Sequence, residues 1–115
     1  MAPHRLGLFG GSFDPPHLGH LVVAQDVLEV LGLDRLLFVP AGNPPHKQDR
    51  SLAPAPLRLQ MVEALVKGDD RFGVSEADLS RSGPSYTVDT LRHYRELHPH
   101  GEIFFIMGSD QARTL

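Results

Sequence analysis

The sequence predicts an α/β domain, a Rossmann-like parallel sheet with flanking helices, on three observations. Short apolar runs at Leu6–Phe9, Leu36–Val39, Phe72–Val74 and Ile103–Met107 are rich in Leu, Ile, Val and Phe and read as strands buried on both faces. Three segments with helical spacing lie between and beside them. The two kinds alternate along the chain, which is the pattern of a parallel sheet built with right-handed crossovers.

The first helical segment places Leu21, Ala24, Val27, Leu28 and Leu31 on one side and Gln25, Asp26 and Glu29 on another, with Gly32 as its stop. The second follows Pro54 and Pro56, carries Leu57, Met61, Ala64 and Leu65 on its expected core stripe, and stops at Gly68. The third runs from about Thr87 to His98, with Asp89 in the first turn and Pro99 beyond the end. The stretch from Ala41 to Pro56, rich in Pro, Asn and charge, reads as a long loop rather than a domain boundary, and loops of that length in compact domains are usually functional.

At 115 residues with 41% hydrophobic side chains, the chain suits one domain with one real core. Fourteen acidic against eleven basic residues give a formal charge of −3. A nucleic-acid polymer is therefore not expected as a partner, since such proteins show a broad basic footprint. An anionic ligand would need a locally positive pocket. With no cysteine there is no disulfide framework or thiolate metal site. Gly10 and Gly11 cut the first apolar run too early for a signal-peptide core, and no apolar run is long enough to cross a bilayer. A cytoplasmic protein without membrane contact is the expectation. Homo-oligomerisation is left open, because an exposed stripe and a core stripe look alike in sequence.

In parallel α/β sheets ligands sit beyond the carboxyl ends of the strands, so the residues after each run carry the functional reading. The first such stretch, Gly10-Gly11-Ser12-Phe13-Asp14-Pro15-Pro16-His17-Leu18-Gly19-His20, is the most informative. Gly10 and Gly11 would let the backbone approach a phosphate without Cβ interference, and Ser12 adds a hydroxyl. Pro15 and Pro16 fix where the helix begins. His17 and His20 share a face at that helix start, with Gly19 leaving room for a ligand atom. Free N–H groups and the helix dipole favour an anion there, and bound phosphate would keep both imidazoles charged. The lysine of a P-loop is missing, and the histidine pair lacks a third ligand for zinc, so polyphosphate is the favoured occupant.

This run resembles the signature of the nucleotidyltransferase superfamily that carries a His-x-Gly-His motif. The resemblance implies transfer of a nucleotidyl group without a covalent enzyme intermediate. It also implies that His17 and His20 contact the ATP phosphates and stabilise charge on the α-phosphoryl group during in-line attack.

Two later stretches narrow the acceptor. Pro40-Ala41-Gly42-Asn43-Pro44-Pro45-His46-Lys47 follows the second strand, and His46 and Lys47 suit a phosphate-bearing acceptor. Ser85-Tyr86-Thr87 enters the third helix, where N–H donors and an aromatic ring suit an aromatic carboxylate; capping by Ser85 or Thr87 is compatible with the same role. Both stretches closely resemble the bacterial nicotinate-nucleotide adenylyltransferase family, with its Pro-Pro-His-Lys loop and Ser-Tyr-Thr helix entry.

That resemblance implies synthesis of deamido-NAD and pyrophosphate from ATP and nicotinate mononucleotide, with Mg2+ accompanying ATP. It implies His17, His20 and Lys47 as catalytic residues, and His46, Lys47, Ser85, Tyr86 and Thr87 as acceptor-binding ones. Gly10, Gly11, Ser12, Phe13, Gly19, Gly108 and Asp110 join the histidines around ATP; Gly108-Ser109-Asp110 resembles the family's Gly-x-Asp turn, and Asp110 is equally readable as a helix cap.

Family members continue through an Ile-Ser-x-Thr-x-x-Arg signature that helps bind ATP. Residues 1–115 therefore read as a single nucleotidyltransferase domain, the N-terminal portion of a longer one. Its sheet is expected to be incomplete at the C-terminal end, leaving Ile103 and Phe105 without a covering helix. A sister transferase acting on another phosphate, such as phosphopantetheine, and a non-catalytic nucleotide-binding module are the alternatives.

Overall fold

The computed structural model describes residues 4–42, 53–80 and 87–107. Four parallel strands form one sheet: β1 (Arg5–Gly11), β2 (Arg35–Pro40), β3 (Phe72–Val74) and β4 (Glu102–Ile106), in the order β3-β2-β1-β4. Helices α1 (Leu18–Leu31) and α2 (Ala55–Val66) connect the first three strands. A one-turn helix α3 (Ala77–Ser80) and then α4 (Thr87–Leu97) lead to β4.

The strand order decides which face each helix covers. From β1 the chain steps outward through β2 to β3, and then returns across the sheet to place β4 on the other side of β1. A right-handed crossover that reverses direction must pass over the opposite face. Accordingly Ala24 and Leu28 of α1 and Val62 and Val66 of α2 pack with Phe9, Leu36, Phe38 and Phe72 in one core. Tyr94 of α4 packs with Leu6, Leu8 and Val39 in the other. The alternation of Leu8 and Phe9, or of Phe38 and Val39, between the two cores is the period-2 pleat of a sheet covered on both sides.

Helix α1 follows its predicted pattern, with Ala24 and Leu28 buried and Gly32 capping its C-terminus in the left-handed conformation, φ 62°. Helix α2 does not. Its buried positions are Arg58, Val62 and Val66, while Leu57 of the expected stripe is 47% exposed and Ala64 is also exposed. The apolar-stripe count treats an arginine as a solvent marker, but Arg58 is only 2% exposed because three backbone carbonyls take its N–H groups.

The expected exposure of Ile103 and Phe105 is also corrected: both are half-buried against the Tyr94 cluster. Buried polar groups tie that side together. The Tyr94 hydroxyl donates to Ser75 Oγ, which also accepts the Ala77 N–H at 3.2 Å, and Thr90 Oγ1 donates to Asp78 at 2.5 Å. These bonds hold the short α3 to α4.

At the amino edge of the sheet Arg5 joins three elements. Its guanidinium donates to the Leu31 carbonyl at 3.1 and 2.7 Å, satisfying an acceptor that the end of α1 leaves open. It also donates to both Glu102 carboxylate oxygens at 3.0 Å and lies 4.8 Å from the centre of the Phe104 ring. Arg5→Ala should lower the folding free energy by about 1–2 kcal/mol, the contribution of a half-exposed set of charge-assisted bonds, measured by urea unfolding.

Candidate functional site

The carboxyl ends of β1 and β4 lie side by side, and here the chain reverses its direction of travel across the sheet. That switch point is where open parallel sheets bind ligands. The turn from Ser12 to His17 leads from β1 into α1 at this edge.

Strand β1 runs on through both glycines, with Gly10 in register with Val39 and Gly11 with Pro40. A Cβ on Gly10 would stand 2.6 Å from the Phe105 ring, so its bare backbone is required by packing against β4. This steric requirement stands beside the predicted one, approach of a phosphate. Phe13 follows with φ 50°, a left-handed conformation that bulky residues rarely adopt. Its ring is 3% exposed, 5.5 Å from the Phe9 ring and 5.4 Å from that of Phe38. Any contact Phe13 makes with a ligand therefore comes from its backbone.

His17 and His20 are brought together as predicted, but they are used differently. His17 is the N-cap of α1, and its Nδ1 accepts the Gly19 N–H at 3.0 Å. His20, three residues on, accepts the His17 N–H at its own Nδ1, also at 3.0 Å. Together they form a capping box in which imidazoles replace the usual Ser/Thr and Glu/Gln. A nitrogen that accepts an N–H carries no proton, so each ring holds its proton on Nε2.

One expectation changes with this. The Gly19 N–H is not free for an anion, because the His17 side chain takes it. In this arrangement each imidazole donates from Nε2. Gly19 makes room, but for His17: a Cβ there would lie 2.8 Å from the imidazole.

The two rings stack with centroids 3.9 Å apart. His20 also meets Phe13 edge-on at 5.0 Å and Phe9 at 6.1 Å. Burial in this aromatic surround lowers its pKa, and the neighbouring His17 lowers it further.

Behind the turn stands Arg58, which the expected apolar stripe of α2 passes over. Its Nε donates to the Ala53 carbonyl at 2.9 Å, and its Nη1 donates to the carbonyls of Ser12 at 2.9 Å and Ala41 at 2.7 Å. One side chain thus joins the turn after β1, the residue after β2 and the entry to α2. Asp14 adds a second tie, accepting the Ala53 N–H at 3.1 Å, and the Ala41 N–H donates to the Gly11 carbonyl at 2.8 Å. The signal that could have found Arg58 is its spacing: it is one turn before Val62 and two before Val66 on the same face.

Of the remaining predicted residues, Thr87 opens α4 and is half-buried. Its helix is anchored by the Thr90–Asp78 bond, which brackets the Ser85–Thr87 entry in sequence. His46, Lys47, Ser85, Tyr86, Gly108 and Asp110 lie outside the described residues.

The lowered pKa of His20 has a consequence for stability. The unfolded chain binds this proton more readily than the folded one, so the contribution of His20 is present above its ordinary pKa of 6.5 and is lost as pH falls through the lower folded value. The urea midpoint should therefore fall as the pH drops below about 6.5. His20→Gln keeps an acceptor for the His17 N–H without titrating, and should fall less steeply over the same window.

Comparison with known proteins places the fold among described ones. Residues 8–115 match the cytidylyltransferase-like family. A protein of Thermus thermophilus named as a probable nicotinate-nucleotide adenylyltransferase is 58% identical over 111 residues, covering 96% of this chain and 59% of that protein. One of the same name from Maridesulfovibrio salexigens is 53% identical over 110 residues, covering 96% and 51%. The chain thus spans between half and three-fifths of the length of these curated relatives. The solved structure of Plasmodium falciparum nicotinic acid mononucleotide adenylyltransferase complexed with NaAD shares the fold, with a TM-score of 0.77 at 23% identity over 96% of this chain and 54% of that one. With the match running from within β1 to the last residue, the chain belongs to the cytidylyltransferase-like family.

Proposed function

We propose that this chain carries the phosphate-binding part of an enzyme that transfers the adenylyl group of ATP to nicotinate mononucleotide, giving deamido-NAD and pyrophosphate. The observation that carries the reading is the imidazole capping box at the switch point. It fixes both Nδ1 atoms on backbone N–H groups and leaves two Nε2–H donors on rings 3.9 Å apart by centroid. Two donors at one helix start suit a polyphosphate, whose oxygens gain charge as the bond to the leaving group breaks. The identity to proteins named as nicotinate-nucleotide adenylyltransferases supports the choice of acceptor.

In the reaction an oxygen of the mononucleotide phosphate attacks the α-phosphorus of ATP in line. The new P–O bond forms as the bond to the bridging oxygen breaks, and pyrophosphate departs with that electron pair. The attacking phosphate is already ionised at neutral pH, so no side chain need remove a proton from it. What the protein supplies is position and electrostatic complementarity. His17 and His20 donate from Nε2 to phosphate oxygens in this reading, and they need not be charged to do so.

Mg2+ belongs to the substrate here, as the counter-ion of the ATP phosphates. Mg2+ is commonly held through substrate phosphates and one or two carboxylates rather than by an all-protein cage. Asp110, by family resemblance, is assigned to the ATP ribose. Lys47 is assigned a catalytic role near the phosphates, and His46, Ser85, Tyr86 and Thr87 are assigned to the acceptor. Gly10, Gly11, Ser12, Gly19 and Gly108 complete the nucleotide surround.

Turnover by the full-length protein tests the reading. Supplied with ATP, Mg2+ and nicotinate mononucleotide, it should release pyrophosphate and form deamido-NAD, detected by chromatography. Product with phosphopantetheine and none with nicotinate mononucleotide would overturn the acceptor assignment.

Two substitutions that preserve the caps probe the histidines: His17→Asn keeps an N-cap acceptor and His20→Gln keeps the reciprocal one. Each should lower kcat by about a hundredfold, the usual effect of removing one transition-state donor, with little change in KM for the mononucleotide. Wild-type kcat in both would remove the imidazoles from the mechanism. Nicotinate mononucleotide should also give a higher kcat/KM than nicotinamide mononucleotide, because a helix start favours a carboxylate over a neutral amide; equal values would place the carboxylate away from the α4 entry.

A further inference from the structure

We propose that Arg58 is the positioning residue of the phosphate site, gripping two peptide groups from the core side so that their N–H donors face the bound polyphosphate. The proposal rests on the reading of this edge as a nucleotide phosphate site.

Arg58 is only 2% exposed, and its hydrogen-bond partners among the described residues are backbone carbonyls rather than a carboxylate. Burying a guanidinium without a paired anion is costly, and an apolar side chain continuing the Val62–Val66 stripe would serve stability at least as well. Asp14 lends the guanidinium some compensating charge, and it is exposed. A cation retained at such a place calls for a use beyond packing.

Peptide geometry supplies that use. In a planar trans peptide the C=O and the following N–H point in opposite directions. The Ser12 carbonyl is drawn to Arg58 in the core, so the Phe13 N–H points away from the core, toward the open edge of the sheet. The Ala41 carbonyl is drawn to the same nitrogen, which turns the Gly42 N–H outward in the same way. A cation behind the carbonyl also polarises each peptide and strengthens its N–H as a donor.

Phe13 shows that the turn needs this hold. Its φ of 50° is unfavourable for a side chain of its size, and it persists with the ring fixed between Phe9 and Phe38 and the preceding carbonyl fixed by Arg58. Because Nη1 is shared between Ser12 and Ala41, the two outward N–H groups have a fixed separation. Arg58 therefore sets the spacing of the donors. It touches no substrate and acts through the peptides it holds.

The test compares the full-length protein with its Arg58→Lys and Arg58→Met variants. A lysine keeps the charge but cannot satisfy three carbonyls in the fork geometry of arginine. Arg58→Lys should lose roughly a hundredfold in kcat, as expected for misplaced donors, while KM for the mononucleotide stays near wild type. In amide NMR spectra, inorganic pyrophosphate should shift the Phe13 and Gly42 N–H resonances downfield in the wild type and much less in Arg58→Lys.

Wild-type kcat and wild-type pyrophosphate shifts in either variant, with only the melting temperature lowered, would show that Arg58 is merely structural and overturn the proposal. Absence of pyrophosphate shifts at Phe13 and Gly42 in the wild type would overturn it too, and decides the matter should both variants fail to fold. If Arg58→Lys loses the shifts seen in the wild type but the wild type shows no turnover with nicotinate mononucleotide, the acceptor assignment fails while the role of Arg58 stands.

Discussion

The way the backbone leaves β1 governs everything at the carboxyl edge of the sheet. Between Gly11 and Leu18 the chain must quit a central strand, turn, and start a helix whose first N–H groups need partners. Three attachments make that possible. The Phe13 ring is sunk in the core, the Ser12 carbonyl is held by Arg58, and the His17–His20 pair closes the first turn of α1. Removing any one would free a segment whose shape the other two cannot impose, since each acts on a different part of the turn.

The capping box also changes what the histidines can do. An imidazole with Nδ1 committed to the backbone has one donor left and one direction in which to aim it. Stacking at 3.9 Å aligns the pair, and edge contacts with Phe9 and Phe13 restrict His20 further. The lowered pKa of His20 fits a donor that works uncharged, since burial penalises the cation first and the His17 neighbour adds to it. Preorganisation of this kind matters for phosphoryl transfer, where the protein stabilises charge that appears only as bonds change.

A comparable logic holds on the other face. The bonds from Tyr94 to Ser75 and from Thr90 to Asp78 join the end of β3, the short α3 and the body of α4. Ser75, Asp78, Thr90 and Tyr94 are all buried, so these groups have little water to compete for them and their geometry is well determined. The link fixes α4, and with it Thr87, relative to the sheet. The turn after β1 and helix α4 are thus braced from opposite faces of the sheet, by Arg58 from one core and by the Tyr94 cluster from the other. Arg5 secures the amino edge.

By itself the sequence determined the elements and which residues follow the strands at the carboxyl edge of the sheet. Four apolar runs became the four strands within one or two residues at most ends, because doubly buried parallel strands leave continuous Leu, Ile, Val and Phe. Helix α1 and its Gly32 stop were legible because local periodicity and a left-handed cap need no distant partner. The pairing of His17 with His20 was legible for the same reason, as a three-residue spacing at a helix start.

What only the tertiary structure decided is everything that depends on contacts far apart in sequence. Gly10 must be small to make room for Phe105, far away in sequence. Arg58 lies inside because carbonyls from residues 12, 41 and 53 converge on it, and no window around α2 contains them. The order β3-β2-β1-β4 set the second core, and so covered Ile103 and Phe105 with α4. The proton positions on the two imidazoles were settled by backbone N–H groups that the fold directs at Nδ1, a matter of geometry that residue identity alone does not specify.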